Sequence, residues 1–297
     1  MKSFSVHVPG GYLDVERCVT SGQVFRWQRC GSAWIGLDGR DWYRIETVTN
    51  ETFSVQTNRD QDAFRNYFRL DWDADAIQAE ILGAAPELEP HMNALRGLRL
   101  LRPAYAVEVF YSFLCTPNNH ISRITGMVSH LASYGFDIGD EIDDVRLTGF
   151  PGSEVIAKMD EGKLRAAGFG YRAATIPYAA REVLTRGGDE YIHGLRNKPY
   201  EEAHRELVSI KGIGPKLADC ICLFGLDHTE AVPVDTHIWQ AGTRLFFPEW
   251  RDQSLTANRY RAIGDAMRDK FGRLAGWAQQ YLFYDNMLNW RTRRSQN

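Results

Sequence analysis

A Gly-Ile-Gly-Pro turn within residues 207–237 (LVSIKGIGPKLADCICLFGLDHTEAVPVDTH) constrains the fold more than any other part of the chain. Segments with helical periodicity flank the turn on both sides. Gly212 and Gly214 permit backbone conformations closed to other residues and let a ligand approach the main chain. Pro215 suits the first position of a helix, where its missing N–H costs nothing. The pattern predicts a helix–hairpin–helix whose second helix runs from Pro215 to about Leu226 and begins with unpaired amides that favour an anion.

Lys216 falls in the first turn of this second predicted helix. Its ammonium opposes the helix dipole, and partial burial would lower its pKa further, which is what a nucleophilic lysine needs. The alternative interpretation is a surface lysine that holds a phosphate. Lys211, near which the first helix is predicted to end, is the rival nucleophile, although its place across the turn favours a solvated phosphate contact.

Asp235 follows Pro233 and precedes THIWQAGTRLFF, so it is well placed to N-cap the next helix. A purely structural cap is one interpretation of this carboxylate. The other, which is compatible with it, is a carboxylate that stabilises positive charge developing at the anomeric carbon of a sugar. His237 is interpreted as a core or phosphate-contacting histidine. A lysine and a carboxylate beside a phosphate-binding turn lead to the hypothesis of an enzyme that attacks the sugar of DNA.

Composition sets the general class of the protein. The 297 residues are 44% hydrophobic, which is enough to bury a full core. The formal net charge of −3 argues mildly against nucleic-acid binding, but phosphate contacts need only a local patch. The five cysteines are irregularly spaced and none follows Cys222, so we expect neither a disulfide framework nor a C-terminal iron–sulfur array. No segment approaches the roughly 20 apolar residues of a membrane span, and we expect an intracellular protein.

Hydrophobic periodicity divides the chain into two parts. To about residue 58 it favours strands, and from about residue 60 it favours helices. Asp38-Gly39 is predicted to form a hairpin turn. The fold class is therefore predicted as α+β, with a small antiparallel β-rich domain at 1–98 and a large all-helical domain at 99–297 that holds the helix–hairpin–helix at about 199–227. The predicted strands are SFSVHV, LDVERCV, QVFRWQR, AWIGL, WYRIET and TFSVQT.

Helical spacing groups four further residues. Lys216 and Cys220 are four residues apart and share a helix face, as do Gln279 and Phe283. Cys220 and Phe283, taken alone, suit a hydrophobic core. Gln279 is different, because an amide on an aromatic helix face needs a hydrogen-bond partner.

Separated motifs give the chain a family resemblance. It resembles the 8-oxoguanine DNA glycosylases with AP lyase activity, in the helix–hairpin–helix superfamily with the Gly/Pro-Asp signature. That resemblance implies a TATA-binding-protein-like N-terminal domain. The motifs occur in one order along nearly the whole chain, and they are SGQVFRW at 21–27, SFLCTPNNHISRITGMV at 112–128, GFGYRA at 168–173, the stretch at 207–237, and GWAQQYLF at 276–283.

The resemblance implies roles for the residues already singled out. Lys216 would attack C1′ of the damaged nucleotide, displace the base and form a Schiff base, after which β-elimination cuts the strand. Asp235 would support this substitution. The lesion base would leave the helix and bind in a pocket. Cys220 and Phe283 would sandwich the base, Gln279 would bond its Watson–Crick edge, and the backbone carbonyl of Gly22 would accept from its N7–H.

The resemblance also implies contacts to the rest of the DNA. The expected partner is double-stranded DNA with 8-oxoguanine opposite cytosine, bound by a monomer without a cofactor. Pro117 and His120 depart from the family pattern, which puts the strictness of the cytosine preference in question. The residues implied for the opposite base and the DNA backbone are Asn118, Arg123, Tyr171, Arg172, Gly212, Gly214 and His237, and the hairpin carbonyls of Val208, Ile210 and Ile213 could hold a cation.

Three other functions remain open from the residues. One is a related glycosylase for an oxidised pyrimidine or an alkylated purine, of which the pyrimidine branch is disfavoured by the missing iron–sulfur array. Another is a non-catalytic DNA-binding module, which would need neither Lys216 nor Asp235. The third is a thiol enzyme built on Cys220 and His237, disfavoured because Cys220 lies in an apolar helix. Cys220 and Cys222 alone are also poor zinc ligands.

Overall fold

The chain begins with a five-stranded antiparallel sheet, as its alternating sequence predicts. The computed structural model describes residues 1–295, with side chains to residue 289. Burial alternates along the strands because one face of the sheet packs on a core: in TFSVQT, Phe53 and Val55 are buried and Ser54 is exposed. The strand order is β1-β5-β4-β3-β2. The strands are β1 (Lys2–His7), β2 (Trp27–Cys30), β3 (Ala33–Asp38), β4 (Asp41–Thr49) and β5 (Thr52–Thr57).

The turn predicted at Asp38-Gly39 joins β3 to β4, with Asp38 as the last strand residue opposite Asp41. Gly39 has a φ of +64°, the left-handed conformation that glycine adopts readily. The buried Asp38 carboxylate reaches across to the start of the helical region. It accepts hydrogen bonds from the backbone amides of Ala104 and Tyr105 at 2.6 and 2.9 Å. Asp38 thus ties the sheet to the helices.

One predicted strand is wrong. The segment LDVERCV contains helix α1 (Val15–Thr20) instead. The Asp14 side chain caps this helix by accepting from the amide of Arg17 at 2.9 Å. Val15, Cys18 and Val19 are buried, and their three- and four-residue spacing is that of a helix face. The N-cap aspartate and this spacing were the signals that composition obscured.

From residue 61 onward the structure is mainly helical. Within residues 1–295, no helix is both long and apolar enough to span a lipid bilayer. The basic run RTRR at 291–294 lies outside the described side chains. The helices are α2 (Gln61–Tyr67), α3 (Ala74–Ala84), α4 (Glu89–Ala94), α5 (Ala106–Leu114), α6 (Ile121–Ala132), α7 (Ser153–Ile156), α8 (Glu161–Ala166), α9 (Arg172–Thr185), α10 (Asp189–Gly194), α11 (Tyr200–Val208), α12 (Pro215–Gly225), α13 (Thr236–Phe246), α14 (Ala257–Phe271) and α15 (Ala275–Ser295).

The helical region is not entirely helical, because it includes a two-stranded hairpin, β6 (Asp137–Ile142) and β7 (Val145–Thr148). Asp143 and Asp144 in its turn both have positive φ, as a tight hairpin turn requires. Ile142 and Leu147 pack against Ile35 and Trp42 of the N-terminal sheet. The hairpin therefore extends the contact between the two parts of the chain.

Helices α3 and α4 precede residue 98 but pack against α14 and α15. Their buried residues Ile77, Ile81 and Met92 belong to the same core as the helical region. The division at residue 98 stays a prediction.

Asp38→Ala should destabilise the protein, since two partly buried amides lose their acceptor. We expect a loss of about 2–4 kcal/mol in the free energy of unfolding, measured by urea denaturation. Asp60→Ala, which removes the exposed N-cap of α2, is the matched control and should lose less. Equal losses would mean that Asp38 does not tie the two regions together.

Candidate active site

The helix–hairpin–helix is present, with α11 and α12 joined by residues 209–214. Helix α11 ends at Val208, slightly before the predicted Lys211, because the turn at Ile210 closes with a 3.0 Å hydrogen bond from the amide of Ile213. Pro215 is the first residue of α12, as predicted.

The two hairpin glycines serve different purposes. Gly212 has a φ of +99°, and a Cβ there would lie 2.4 Å from Cγ2 of Thr175. Gly214 has an ordinary extended backbone that any residue could adopt. A Cβ on Gly214 would meet no heavy atom within 4 Å. The open space at Gly214 leaves the start of α12 accessible to a ligand.

Lys216 lies at the second position of α12, half-buried, and interacts with Cys220, Asp235 and Asp219. Contrary to the sequence prediction, its pKa is raised. A Cys220 thiolate would contribute most to this increase, burial opposes it, and the Asp235 and Asp219 carboxylates add to it. Burial raises the pKa of Cys220 itself to about 11, so its thiol is neutral at pH 7. The carboxylates then stabilise the ammonium, which must lose a proton before the amine can attack.

Asp235 is the N-cap of α13, as predicted. Its Oδ1 accepts a hydrogen bond from the amide of Ile238 at 2.9 Å. This bond fixes the carboxylate at the helix start, close enough to Lys216 and Cys220 to influence both. The cap is therefore confirmed, and it is compatible with the charge-stabilising role, which stays a prediction.

Sequence reasoning missed Asp219, a buried carboxylate one turn along α12 from Lys216. It accepts hydrogen bonds from the hydroxyls of Tyr200, at 2.5 Å, and Tyr260. Burial raises the pKa of both tyrosines, so the hydroxyls stay protonated and donate. His204 Nε2 lies 3.7 Å from Asp219, and although burial alone would lower the pKa of His204, this contact raises it. An aspartate inside the apolar run LADCICLF was the available signal.

A cleft of about 1050 Å³ opens at the hairpin. It brings together Lys216, Asp219, Tyr171, Arg172 and both hairpin glycines. Polar and apolar groups line it, and the helix start faces it. The cleft places an amine, the glycine turn predicted to bind phosphate and an exposed aromatic side chain on one surface.

The residues predicted to bind the lesion base lie beside this cleft. Phe283 meets the His237 ring edge-on at a centroid distance of 5.8 Å. A Cβ on Gly22 would lie 3.8 Å from Cε1 of Phe283. Cys220 and Gln279 are buried, and within residues 1–295 none of Gly22, Cys220, Gln279 and Phe283 lines the cleft. Gly22 and Phe283 are therefore neighbours, while Cys220 and Gln279 are buried on α12 and α15. The base pocket that these four residues would form stays a prediction.

Gln279 has one unused polar atom. Its Nε2 donates to the carbonyl of Pro233 at 3.4 Å. Its Oε1 is buried and has no hydrogen-bond partner in the described part of the chain. A buried acceptor without a donor is costly unless a ligand supplies one.

Of the residues predicted to contact the opposite base, Tyr171 and Arg172 line the cleft. Tyr171 is 54% exposed, and Asn118 is exposed with a φ of +51°. Arg123 donates to the carbonyl of Gly168 at 2.8 Å. Arg172 is buried, donates to the carbonyl of Pro117, and lies over the Tyr171 ring at 4.6 Å. The expected bidentate contact from Arg172 to a base would require it to release Pro117.

Two departures from the family pattern have structural roles. His120 N-caps α6, and its Nδ1 accepts from the amide of Arg123 at 3.3 Å. Pro117 supplies the carbonyl that holds Arg172. The loop therefore caps the helix that carries Arg123 and supplies a main-chain acceptor to the side chain of Arg172.

The described residues contain no group of three or more His, Cys, Asp or Glu side chains arranged for a metal. All five cysteines are free thiols. The cation site predicted at the carbonyls of Val208, Ile210 and Ile213 stays a prediction.

Comparison with known proteins agrees with this geometry. Residues 5–106 match the family model for the N-terminal domain of 8-oxoguanine DNA glycosylase. The N-glycosylase/DNA lyase OGG1 of Arabidopsis thaliana is 33% identical, covering 95% of this chain and 80% of its own length. The N-glycosylase/DNA lyase of Saccharomyces cerevisiae is 32% identical over 91% of this chain and 82% of its own length.

Solved structures show the same fold. The 8-oxoguanine glycosylase/lyase of Clostridium acetobutylicum, in complex with double-stranded DNA containing cytosine opposite 8-oxoguanine, superposes with a TM-score of 0.82 at 27% identity. That match covers 94% of this chain and 93% of the other. A 3-methyladenine DNA glycosylase from Archaeoglobus fulgidus, at 21% identity and a TM-score of 0.73, shares the fold. Sequence identity over nearly the whole length, together with Lys216 and Asp235 at the hairpin, establishes that the chain belongs to the 8-oxoguanine DNA glycosylase family of N-glycosylase/DNA lyases.

Proposed function

We propose that this glycosylase/lyase excises 8-oxoguanine opposite cytosine in double-stranded DNA, with Lys216 as its nucleophile. The observation that carries the proposal is the electrostatic interaction between Lys216, at the start of α12 beside the open hairpin, and Asp235, the N-cap of α13. The Clostridium acetobutylicum relative bound to cytosine opposite 8-oxoguanine supports this choice of substrate.

The chemistry follows from these two side chains. After Lys216 loses a proton, its nitrogen bonds to C1′ while the C1′–N9 bond breaks and the electron pair leaves with the base. The Asp235 carboxylate stabilises the positive charge that develops on the sugar. Loss of a proton from the nitrogen and opening of the C1′–O4′ bond give a Schiff base. Removal of a C2′ proton then expels the 3′ phosphate and cuts the strand.

Base recognition would use the four residues predicted to bind the lesion base, Gly22, Cys220, Gln279 and Phe283. Cys220 and Phe283 would stack on the two faces of the flipped base, and the free Oε1 of Gln279 would accept from its Watson–Crick edge. The Gly22 carbonyl would accept from N7–H. Guanine carries a lone pair at N7 instead, so a site built around this hydrogen bond discriminates strongly against it.

DNA binding uses the surface around the cleft. The amides near Gly212 and Gly214 and the His237 ring would contact phosphates. Tyr171, already exposed, would wedge into the base stack. Asn118, Arg123 and a released Arg172 would contact the unpaired cytosine. The protein would act as a monomer without a cofactor, apart from a possible cation at the hairpin carbonyls.

The thiol-enzyme alternative conflicts with the site. Cys220 is buried and its pKa is raised to about 11, the opposite of a reactive thiol. A glycosylase for another lesion would use the same lysine, so a panel of duplexes that varies the lesion and the opposite base separates that alternative.

Lys216→Gln should abolish the covalent complex that borohydride traps between the protein and an 8-oxoguanine duplex, because the amide cannot form a Schiff base. The matched control is Lys211→Gln, which changes the exposed lysine across the hairpin and should still be trapped. Gel electrophoresis measures both. Trapping that survives in Lys216→Gln would place the nucleophile elsewhere.

Gln279→Ala should reduce lesion excision roughly tenfold or more, since a buried contact to the base is lost. Binding to undamaged duplex should change little. Single-turnover excision and fluorescence anisotropy measure the two effects, with the exposed Gln253→Ala as control. Equal losses of excision and binding would show that Gln279 does not read the base.

Activity should increase with pH as Lys216 loses its proton, and in Asp219→Asn this increase should occur at a lower pH. The Asp219 charge helps to raise the pKa of Lys216, so its removal lets the amine deprotonate at a lower pH. Single-turnover cleavage of a preformed abasic site, measured across pH, tests this. Asp265→Asn changes an exposed carboxylate that lines the same cleft, and it should leave the dependence of cleavage on pH unchanged. An unshifted profile in Asp219→Asn would contradict the electrostatic coupling.

A further inference from the structure

The segment from Thr20 to Gln23 is tied to the C-terminal helix α15. Gln280 Nε2 donates to the carbonyl of Ser21 at 3.2 Å. The hydroxyls of Thr20 and Tyr284 lie 2.9 Å apart in a second contact between the same segments. These bonds connect residues more than 250 positions apart in sequence.

A second set of bonds anchors the other side of Gly22. Gln23 Nε2 donates to Ser21 Oγ and to the carbonyl of Arg99, both at 2.9 Å, and Gln23 Oε1 accepts from the amide of Leu101 at 2.9 Å. Ser21 and Gln23 are buried. The Gly22 peptide is therefore held between a fixed residue on each side.

Gly22 itself has a φ of +83° and faces Phe283. Phe283 and Gln279 belong to α15, as does Gln280. The position of the Gly22 carbonyl relative to the two base-contacting side chains thus depends on how Ser21 is held against α15. Gln280 is 1% exposed and makes that bond inside the core.

The orientation of the Gln280 amide is set by this single bond. Its Oε1 is buried without a hydrogen-bond partner among residues 1–295. Among the described residues, the hydrogen bond to the carbonyl of Ser21 is therefore the one polar contact that offsets the cost of burying this side chain.

We propose that Gln280, with Gln23, is a positioning residue for lesion discrimination, which holds the Gly22 carbonyl against N7 of the bound base. The inference rests on the proposed function, in which that carbonyl distinguishes N7–H from the N7 lone pair. A loosely held carbonyl can turn away from a lone pair at N7, which weakens the preference for 8-oxoguanine over bases that carry this lone pair. It can also fail to accept from the N7–H of 8-oxoguanine, which lowers the excision rate. Displacements of about 1 Å can cost on the order of a hundredfold in rate.

Gln280→Met tests this, because methionine fills similar volume but cannot donate to Ser21. The substrates are duplexes with 8-oxoguanine, with 8-methoxyguanine (in which N7 keeps its lone pair), or with a preformed abasic site, each opposite cytosine. Binding of the two base-containing duplexes is measured in the Lys216→Gln background, and excision and nicking with Lys216 intact.

We expect 8-oxoguanine excision by Gln280→Met to fall roughly tenfold to a hundredfold. Cleavage of the abasic duplex should stay within about twofold, since it needs Lys216 but no base contact. The ratio of the protein's affinities for the 8-oxoguanine duplex and the 8-methoxyguanine duplex (the affinity gap) should decrease. Gln28→Met, at an exposed glutamine of β2, should behave as wild type. If Gln280→Met does not fold, Thr20→Val removes the neighbouring tether and should narrow the same gap.

An unchanged affinity gap, or equal losses of excision and abasic cleavage, would overturn the inference and leave the proposed function standing. Failure of the proposed function would look different, because the protein with Lys216 and Gln280 intact would then not be trapped on the 8-oxoguanine duplex.

Discussion

The burial of helix α12 is the constraint on which the site depends. From Leu217 to Gly225 the helix is buried, and the α12 residues that line the cleft all come from its first half: Pro215, Lys216, Leu217 and Asp219. The core therefore fixes the direction from which Lys216 enters the site. Pro215 and the glycine turn leave the helix start open, so under the proposed function one element would both contact the DNA backbone and direct the amine.

The second requirement is that the N-terminal sheet and the helical region share one site. Asp38 binds the amides of Ala104 and Tyr105, and Gln280 binds Ser21, so the two regions are joined at two separate places. Gly22 comes from the N-terminal region and Phe283 from the last helix. The base pocket proposed at Gly22 and Phe283 would depend on these joints for its dimensions.

The pKa of Lys216 could not be predicted from its neighbours in the sequence. Position at a helix start predicted a lowered pKa, but the structure places Cys220 and the Asp235 and Asp219 carboxylates near Lys216, and its pKa is raised. Asp219 escaped notice because its partners, Tyr200 and Tyr260, lie on two other helices. Likewise, Arg172 was expected to be available to a base, and the fold instead pairs it with Pro117.

The sequence by itself determined the α+β class, the helix–hairpin–helix, the first residue of α12 and the N-cap at Asp235, because these follow from local periodicity and from the backbone preferences of glycine, proline and aspartate. It missed the helix at Val15–Thr20 and the hairpin at 137–148, where strand and helix signals are short. Only the tertiary structure decided which charges lie near Lys216, which residues line the cleft, and what holds Gly22. Those properties depend on contacts between residues far apart in the chain, and no local pattern encodes such distances.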